Sequence, residues 1–130
     1  MHAIRRLLLA GLVPALCAPG LHAADTSFSQ QVLPLLNSHC VICHMPGAAQ
    51  AELSLYPDAW AALVTQPSTQ SALPRVKPGD PDGSYLYRKL AGTHLDAGGS
   101  GEPMPFQREQ LAPADLALVR DWIAAGAPNN

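Results

Sequence analysis

The sequence predicts an all-α domain of three to four short helices joined by long loops. Three observations carry that prediction. Apolar residues recur at helical spacing near both ends, at Phe28, Val32, Leu35 and Leu36 and again at Leu116, Val119, Trp122 and Ile123. Helix start and stop residues flank these runs. Between them the chain is crowded with turn formers, with 13 prolines and 10 glycines among 130 residues. No internal repeat or heptad pattern interrupts this scheme, and the length suits one domain.

The first residues stand apart. Arg5 and Arg6 form a positive start, Leu7 to Leu16 an apolar stretch, and small residues lead to Leu21-His22-Ala23-Ala24. This is the pattern of a secretory signal peptide over residues 1–23, with cleavage after Ala23 or Ala24. Pro14, Pro19 and Gly20 break a stretch already short of the roughly 20 residues a span needs, so no stable membrane anchor is expected. Cys17 follows bulky Leu16, which argues against lipidation.

The remaining elements follow in order. Ser27 and Gln30 make an S-x-x-Q capping box that starts the first helix. Pro34 should kink that helix or weaken its middle, and the helix should end near Ser38. Pro46-Gly47 marks a turn, and the next residues to Leu55 read as loop. Pro57 and Asp58 suit the first turn of a short helix reaching about Val64. Asp82 or Ser84 is placed to cap a third helix through Tyr85, Leu86, Arg88, Lys89 and Leu90, with Gly92 as its stop. Thr93 to Gln110 is the least regular stretch and holds Gly98, Gly99, Gly101 and Pro103-Met104-Pro105. A long loop in a small domain is commonly functional. Pro113 then opens a last helix, which Gly126 ends. Phe28 and Trp122 are expected to pack where the first and last helices cross.

Charge narrows the partners. Eight basic residues less Arg5 and Arg6 leave six against ten acidic ones, a formal charge of −4 for the exported chain. Nucleic acid and anionic membrane surfaces are poor partners for such a surface. Arg75, Lys77, Arg88 and Lys89 read as scattered, solvated charges.

One stretch carries the chemistry. Cys40, Val41, Ile42, Cys43 and His44 form C-x-x-C-H, the attachment sequence for c-type haem. Two intervening residues let both thiols reach vinyl groups on one porphyrin edge, and His44 then lies under the iron as an axial ligand. With Cys17 removed, no other cysteine remains to complete a zinc site. A thioredoxin-like dithiol would expect a βαβ context, which is missing. The second ring nitrogen of His44 should donate to a backbone carbonyl, with Pro57 as a candidate source.

The opposite iron ligand is a choice among Met45, Met104, His39 and His94. Met45 and His39 flank the motif and stay on its side. Met104 sits between two prolines that restrict its backbone, and it is the favoured ligand, with His94 as the alternative. A thioether opposite the imidazole would raise the potential and fill the iron, which suits one-electron transfer. An open or labile sixth position would instead suit a haem-based sensor or gas-binding module.

Taken together, these residues resemble class I c-type cytochromes, and more closely the short single-haem domains of the planctomycete-type cytochrome c family. The resemblance is carried by Val32-Leu33-Pro34-Leu35-Leu36, Cys40 to His44, Leu53-Ser54-Leu55, Pro78-Gly79-Asp80-Pro81, Ser84-Tyr85-Leu86, Met104-Pro105 and Trp122 to Ala127. It implies a cytochrome c fold over residues 24–130 wrapped around one covalent haem c. Cys40 and Cys43 would be the thioether sites, His44 the proximal iron ligand and Met104 the distal one. It also implies an electron carrier rather than an enzyme, working in the periplasm between redox proteins, a dehydrogenase donor and an oxidase or reductase acceptor. A docked, non-catalytic subunit of a larger oxidoreductase is the other form such a chain could take.

Overall fold

A computed structural model describes residues 26–130, and the expected signal peptide lies outside the described residues. The described chain is helical, with four α-helices and no sheet: α1 over Leu33–His39, α2 over Ala59–Leu63, α3 over Tyr85–Leu90 and α4 over Pro113–Ala124. A π-helical turn, Phe28–Val32, runs directly into α1, and a 3₁₀ turn covers Gln50–Glu52. No described helix is long and apolar enough to cross a membrane.

The start of the chain differs from the expected capping box in one respect. Ser27 Oγ accepts from Gln30 N at 3.2 Å, but the return bond to Ser27 N comes from the Gln31 side chain at 2.9 Å. The widened turn is the reason. Val32 N reaches Ser27 O and Leu33 N reaches Phe28 O, both five residues back, so the returning side chain moves on by one position. Pro34 lies just after this widened turn, at the start of α1 in one continuous helical run from Phe28 to His39, so the departure from α-helical bonding falls beside the proline, as its missing N–H leads one to expect.

The apolar stripes meet as their spacing requires. Phe28, Val32 and Leu36 are buried, and so are Val119, Trp122 and Ile123 of α4, with Leu35 and Leu116 half-buried at the edge. The Phe28 and Trp122 rings lie 5.2 Å apart at the crossing. Trp122 is fully buried, and its indole N–H donates to Pro128 O at 3.0 Å. Leu55, Leu63, Val76 and Leu90 complete one continuous core. Its burial is the main favourable term holding these short helices together, since none would be stable alone.

Helix ends are closed by recognisable bonds. Asp58 caps α2 by accepting from Ala61 N at 2.9 Å. Gly126, at φ +98°, follows α4, and Ala127 N bonds back to Trp122 O at 3.0 Å, the six-residue closure typical of a glycine stop. Gly92 does the same for α3 with Thr93 N to Arg88 O at 2.9 Å. The start of α3 differs from expectation. Ser84 holds the cap position, but its hydroxyl accepts from Lys77 N and donates to Asp80 O. The free N–H groups of Tyr85 and Leu86 go instead to Pro74 O and Arg75 O, both at 2.9 Å. Asp82 pairs with Arg88 at 3.3 Å. The loop before α3 therefore caps it, and this fixes where α3 sits beside the cavity described next.

Candidate functional site

The C-x-x-C-H segment continues the end of α1. Cys40 N still bonds to Leu36 O at 2.8 Å. The Cys40 carbonyl then accepts from Cys43 N at 3.2 Å and His44 N at 3.1 Å. Cys40 and Cys43 thus sit three residues apart on one turn, which places them on one side of it. Cys40 is half-buried and Cys43 exposed.

His44 is held at two points by the returning loop. Leu55 N donates to His44 O at 2.7 Å, and His44 Nδ1 lies 3.1 Å from Leu53 O. The orienting carbonyl is therefore Leu53, not Pro57. The 3₁₀ turn brings 53–55 back against the motif, while Pro57 has already passed into the approach to α2. A carbonyl can only accept, so Nδ1 carries a proton, and of the two neutral tautomers this contact selects the one with the free lone pair on Nε2. That is the tautomer a metal-ligating imidazole needs.

Cys40, Cys43 and His44 face a cavity of about 500 Å³. Its walls are mainly apolar, with Leu36, Leu53, Leu55, Leu63, Leu86 and Leu90 among them. Met104 lines the same cavity, brought there by the irregular loop that follows α3. Its backbone N–H donates to Lys89 O at 3.0 Å. His94 is not among the cavity walls. It is buried, 2 % exposed, with Nε2 at 2.8 Å from Gly101 O and its ring edge-on to Tyr85 at 6.4 Å. The structure therefore separates the two distal candidates by position. His39, set aside as a ligand, also borders the cavity from the last residue of α1, whereas Met45 is exposed.

Sequence reasoning missed the cations of this site. Arg75 and Lys89, read as solvated charges, both line the cavity, as does Arg108. Arg75 donates to Ala62 O and Glu52 O, each at 3.0 Å. Lys89 is only 7 % exposed, with its ammonium at 2.8 Å from Ser100 O and 2.7 Å from Glu102 O. Burial lowers its pKa, and Glu102 opposes that shift. Every partner is a backbone carbonyl far along the chain, so no local pattern announces these roles. Lys77 and Arg88 do behave as surface charges, paired with Asp80 and Asp82.

Burial pushes the Cys40 thiol up to about 11, Cys43 adds to the shift, and Arg108 opposes it. In the chain with free thiols, Cys40 is thus a protonated thiol at neutral pH. No family model matches the chain, and comparisons with characterised proteins and with solved structures return no match.

Proposed function

We propose that this chain is an exported, single-haem c-type electron carrier, of the kind its resemblance to planctomycete-type cytochrome c domains implies. One observation carries the reading: the two thiols and the imidazole of one turn and the thioether of distant Met104 converge on one mainly apolar cavity of about 500 Å³. That volume lies within the roughly 300–1,000 Å³ usual for small-molecule sites.

The donor set fits the group. Cys40 and Cys43 would hold it covalently, and His44 and Met104 would ligate its iron. When bound, haem supplies a one-electron iron couple, at a potential that a thioether ligand raises above that of a second imidazole. The chain's own residues do the rest. Leu53 O orients the His44 ring and keeps its Nε2 bare. The leucine walls give the cavity an apolar lining, which would favour the less charged state of a centre held there. Arg75 and Arg108, which line the cavity, would offer cations to anionic substituents of the group. Were His44 and Met104 both to hold the iron, no place would remain there for a substrate, and such a donor set favours electron transfer over catalysis. Redox proteins of the periplasm, a dehydrogenase donor and an oxidase or reductase acceptor, are the partners this role requires.

The test is expression with residues 1–23 in a bacterial host that matures c-type proteins. The purified chain should carry the mass of one covalent haem. Met104→Ala should keep that mass, bind imidazole about tenfold or more tightly, and show a lower potential. A chain that leaves the maturation pathway without haem overturns the reading. An unchanged imidazole affinity in Met104→Ala removes Met104 as the ligand.

A further inference from the structure

The stretch from Ser100 to Met104 has an unusual set of bonds. Three successive carbonyls are each taken by a buried side chain. Ser100 O accepts from Tyr85 Oη at 2.7 Å and from Lys89 Nζ at 2.8 Å. Gly101 O accepts from His94 Nε2 at 2.8 Å. Glu102 O accepts from Lys89 Nζ at 2.7 Å. The Lys89 ammonium also lies 5.6 Å from the Tyr85 ring centre, a cation–π distance. The backbone of the same lysine closes the far end of the stretch, because Met104 N donates to Lys89 O at 3.0 Å.

Lys89 therefore grips the loop on both sides of Pro103. Its ammonium holds the carbonyls before the proline and its carbonyl holds the amide after it. The ammonium is buried, and among the described residues no carboxylate side chain lies within bonding distance of it; backbone oxygens and an aromatic face replace its water. Charged donors make stronger hydrogen bonds than neutral ones, and buried ones are costly to leave unpaired. The glycines of the loop make this approach sterically open. A side chain at Gly101 would meet Lys89 Nζ at 2.9 Å, and one at Gly99 would meet Tyr85 Oη at 2.7 Å.

We propose that Lys89, supported by Tyr85, is the positioning residue that seats Met104 in the cavity. It acts through the loop backbone and touches no reacting atom. The inference rests on Met104 being the distal ligand, and its test separates the two claims.

The experiment uses the full haem-loaded chain. Lys89→Leu keeps an apolar stem, removes the ammonium and adds no new iron ligand, and Tyr85→Phe keeps the ring and removes one donor to Ser100 O. Two readouts are taken, imidazole affinity of the ferric protein and hydrogen exchange of the Met104 amide. Haem mass and far-ultraviolet circular dichroism check that the protein remains loaded and folded. Lys89→Leu should bind imidazole about tenfold more tightly and exchange the Met104 amide about tenfold faster, with helicity unchanged. Tyr85→Phe should move both readouts the same way by about two- to fivefold. A folded Lys89→Leu with both readouts at the parent level, beside a Met104→Ala that does bind imidazole more tightly, overturns the positioning role and leaves the ligand intact. A Met104→Ala without effect on imidazole strikes the ligand instead, and the amide exchange still reports whether Lys89 holds the loop. If Lys89→Leu does not fold, Tyr85→Phe decides, and no change in either of its readouts overturns the proposal.

Discussion

The segment from Cys40 to His44 and the segment from Ser100 to Met104 face one cavity but are held by different means. The first is a turn whose backbone closes on itself, with Cys40 O accepting from Cys43 N and His44 N, and only the His44 end is also held from outside, by Leu53 and Leu55 of the next loop. The second makes its bonds to residues outside itself, to Gln70, Tyr85, Lys89 and His94. Five residues and a spacing rule specify the first. The second needs α3, the loop after it and the loop at Gln70 to be in place already. A turn closed over a few residues forms at little entropic cost, whereas the distal loop orders only after longer segments have closed. On this comparison the His44 side should depend mostly on near neighbours in the chain, and the Met104 side should be the one that distant substitutions disturb.

The largest expected effect removes what both segments stand on. Trp122 is fully buried, packs on Phe28 and bonds to Pro128 O. Trp122→Ala should cost about 3–5 kcal/mol of stability, read from chemical denaturation, and should weaken both sides together. Loss of the Met104 seat alone, with His44 still ordered, would show that the two sides do not share this core.

A second effect belongs to the Cys40 side and disappears on haem attachment. In the chain with free thiols, burial raises Cys40 from 9.0 to about 11. Between those values the unfolded chain has released a proton that the folded chain keeps. Stability is therefore complete below pH 9 and falls as pH rises through the window, by about 2–3 kcal/mol in all. Urea midpoints at about pH 8 and about pH 11 measure the loss. In the haem-loaded protein, where the sulfur would be a thioether, this part of the slope should vanish. A slope unchanged by haem would place its cause elsewhere.

The difference between the two segments also explains what could be read without coordinates. The helical stripes, the Phe28–Trp122 contact, the Asp58 cap and the Gly92 and Gly126 stops all depend on residues within a few positions of one another or on stripes that spacing defines. So does the turn that carries Cys40, Cys43 and His44. Their signals are local, and spacing alone reveals them. The π-helical turn was not legible, because the same apolar spacing fits an ordinary helix and only the five-residue bonds distinguish it. The cap of α3 by Pro74 and Arg75 carbonyls has no side-chain signature at all. Lys89 is the clearest case. A lysine on a short helix beside an arginine resembles surface charge, and only the return of Ser100 and Glu102 over it makes it buried. The glycines at 98, 99 and 101 were visible as an irregular stretch, but the reason for 99 and 101 was not, since it lies in the approach of Tyr85, His94 and Lys89.

The smallest effects sharpen the comparison most directly, through one glycine on each side. Gly99 has no unusual backbone angle, but a Cβ there would meet the Tyr85 ring, and His94 O at 2.8 Å. One of those neighbours is backbone and cannot swing away. Gly99→Ala should therefore cost about 1–3 kcal/mol by overpacking, and in the haem-loaded protein it should raise imidazole affinity by disturbing the Met104 loop. Gly47 is the opposite case. It lies just past the motif at φ +87°, and a Cβ there would meet nothing within 4 Å. Gly47→Ala makes no clash and costs only the left-handed backbone, about 1 kcal/mol. It should lower the denaturation midpoint slightly and leave imidazole affinity at the parent value, because His44 is held by Leu53 and Leu55 rather than by the turn at Gly47. The ratio of ligand-affinity change to stability loss should thus be high for Gly99→Ala and near zero for Gly47→Ala. Equal ratios would mean that the two sides of the cavity yield together, and the distinction between a locally closed turn and a loop held from outside would not describe this protein.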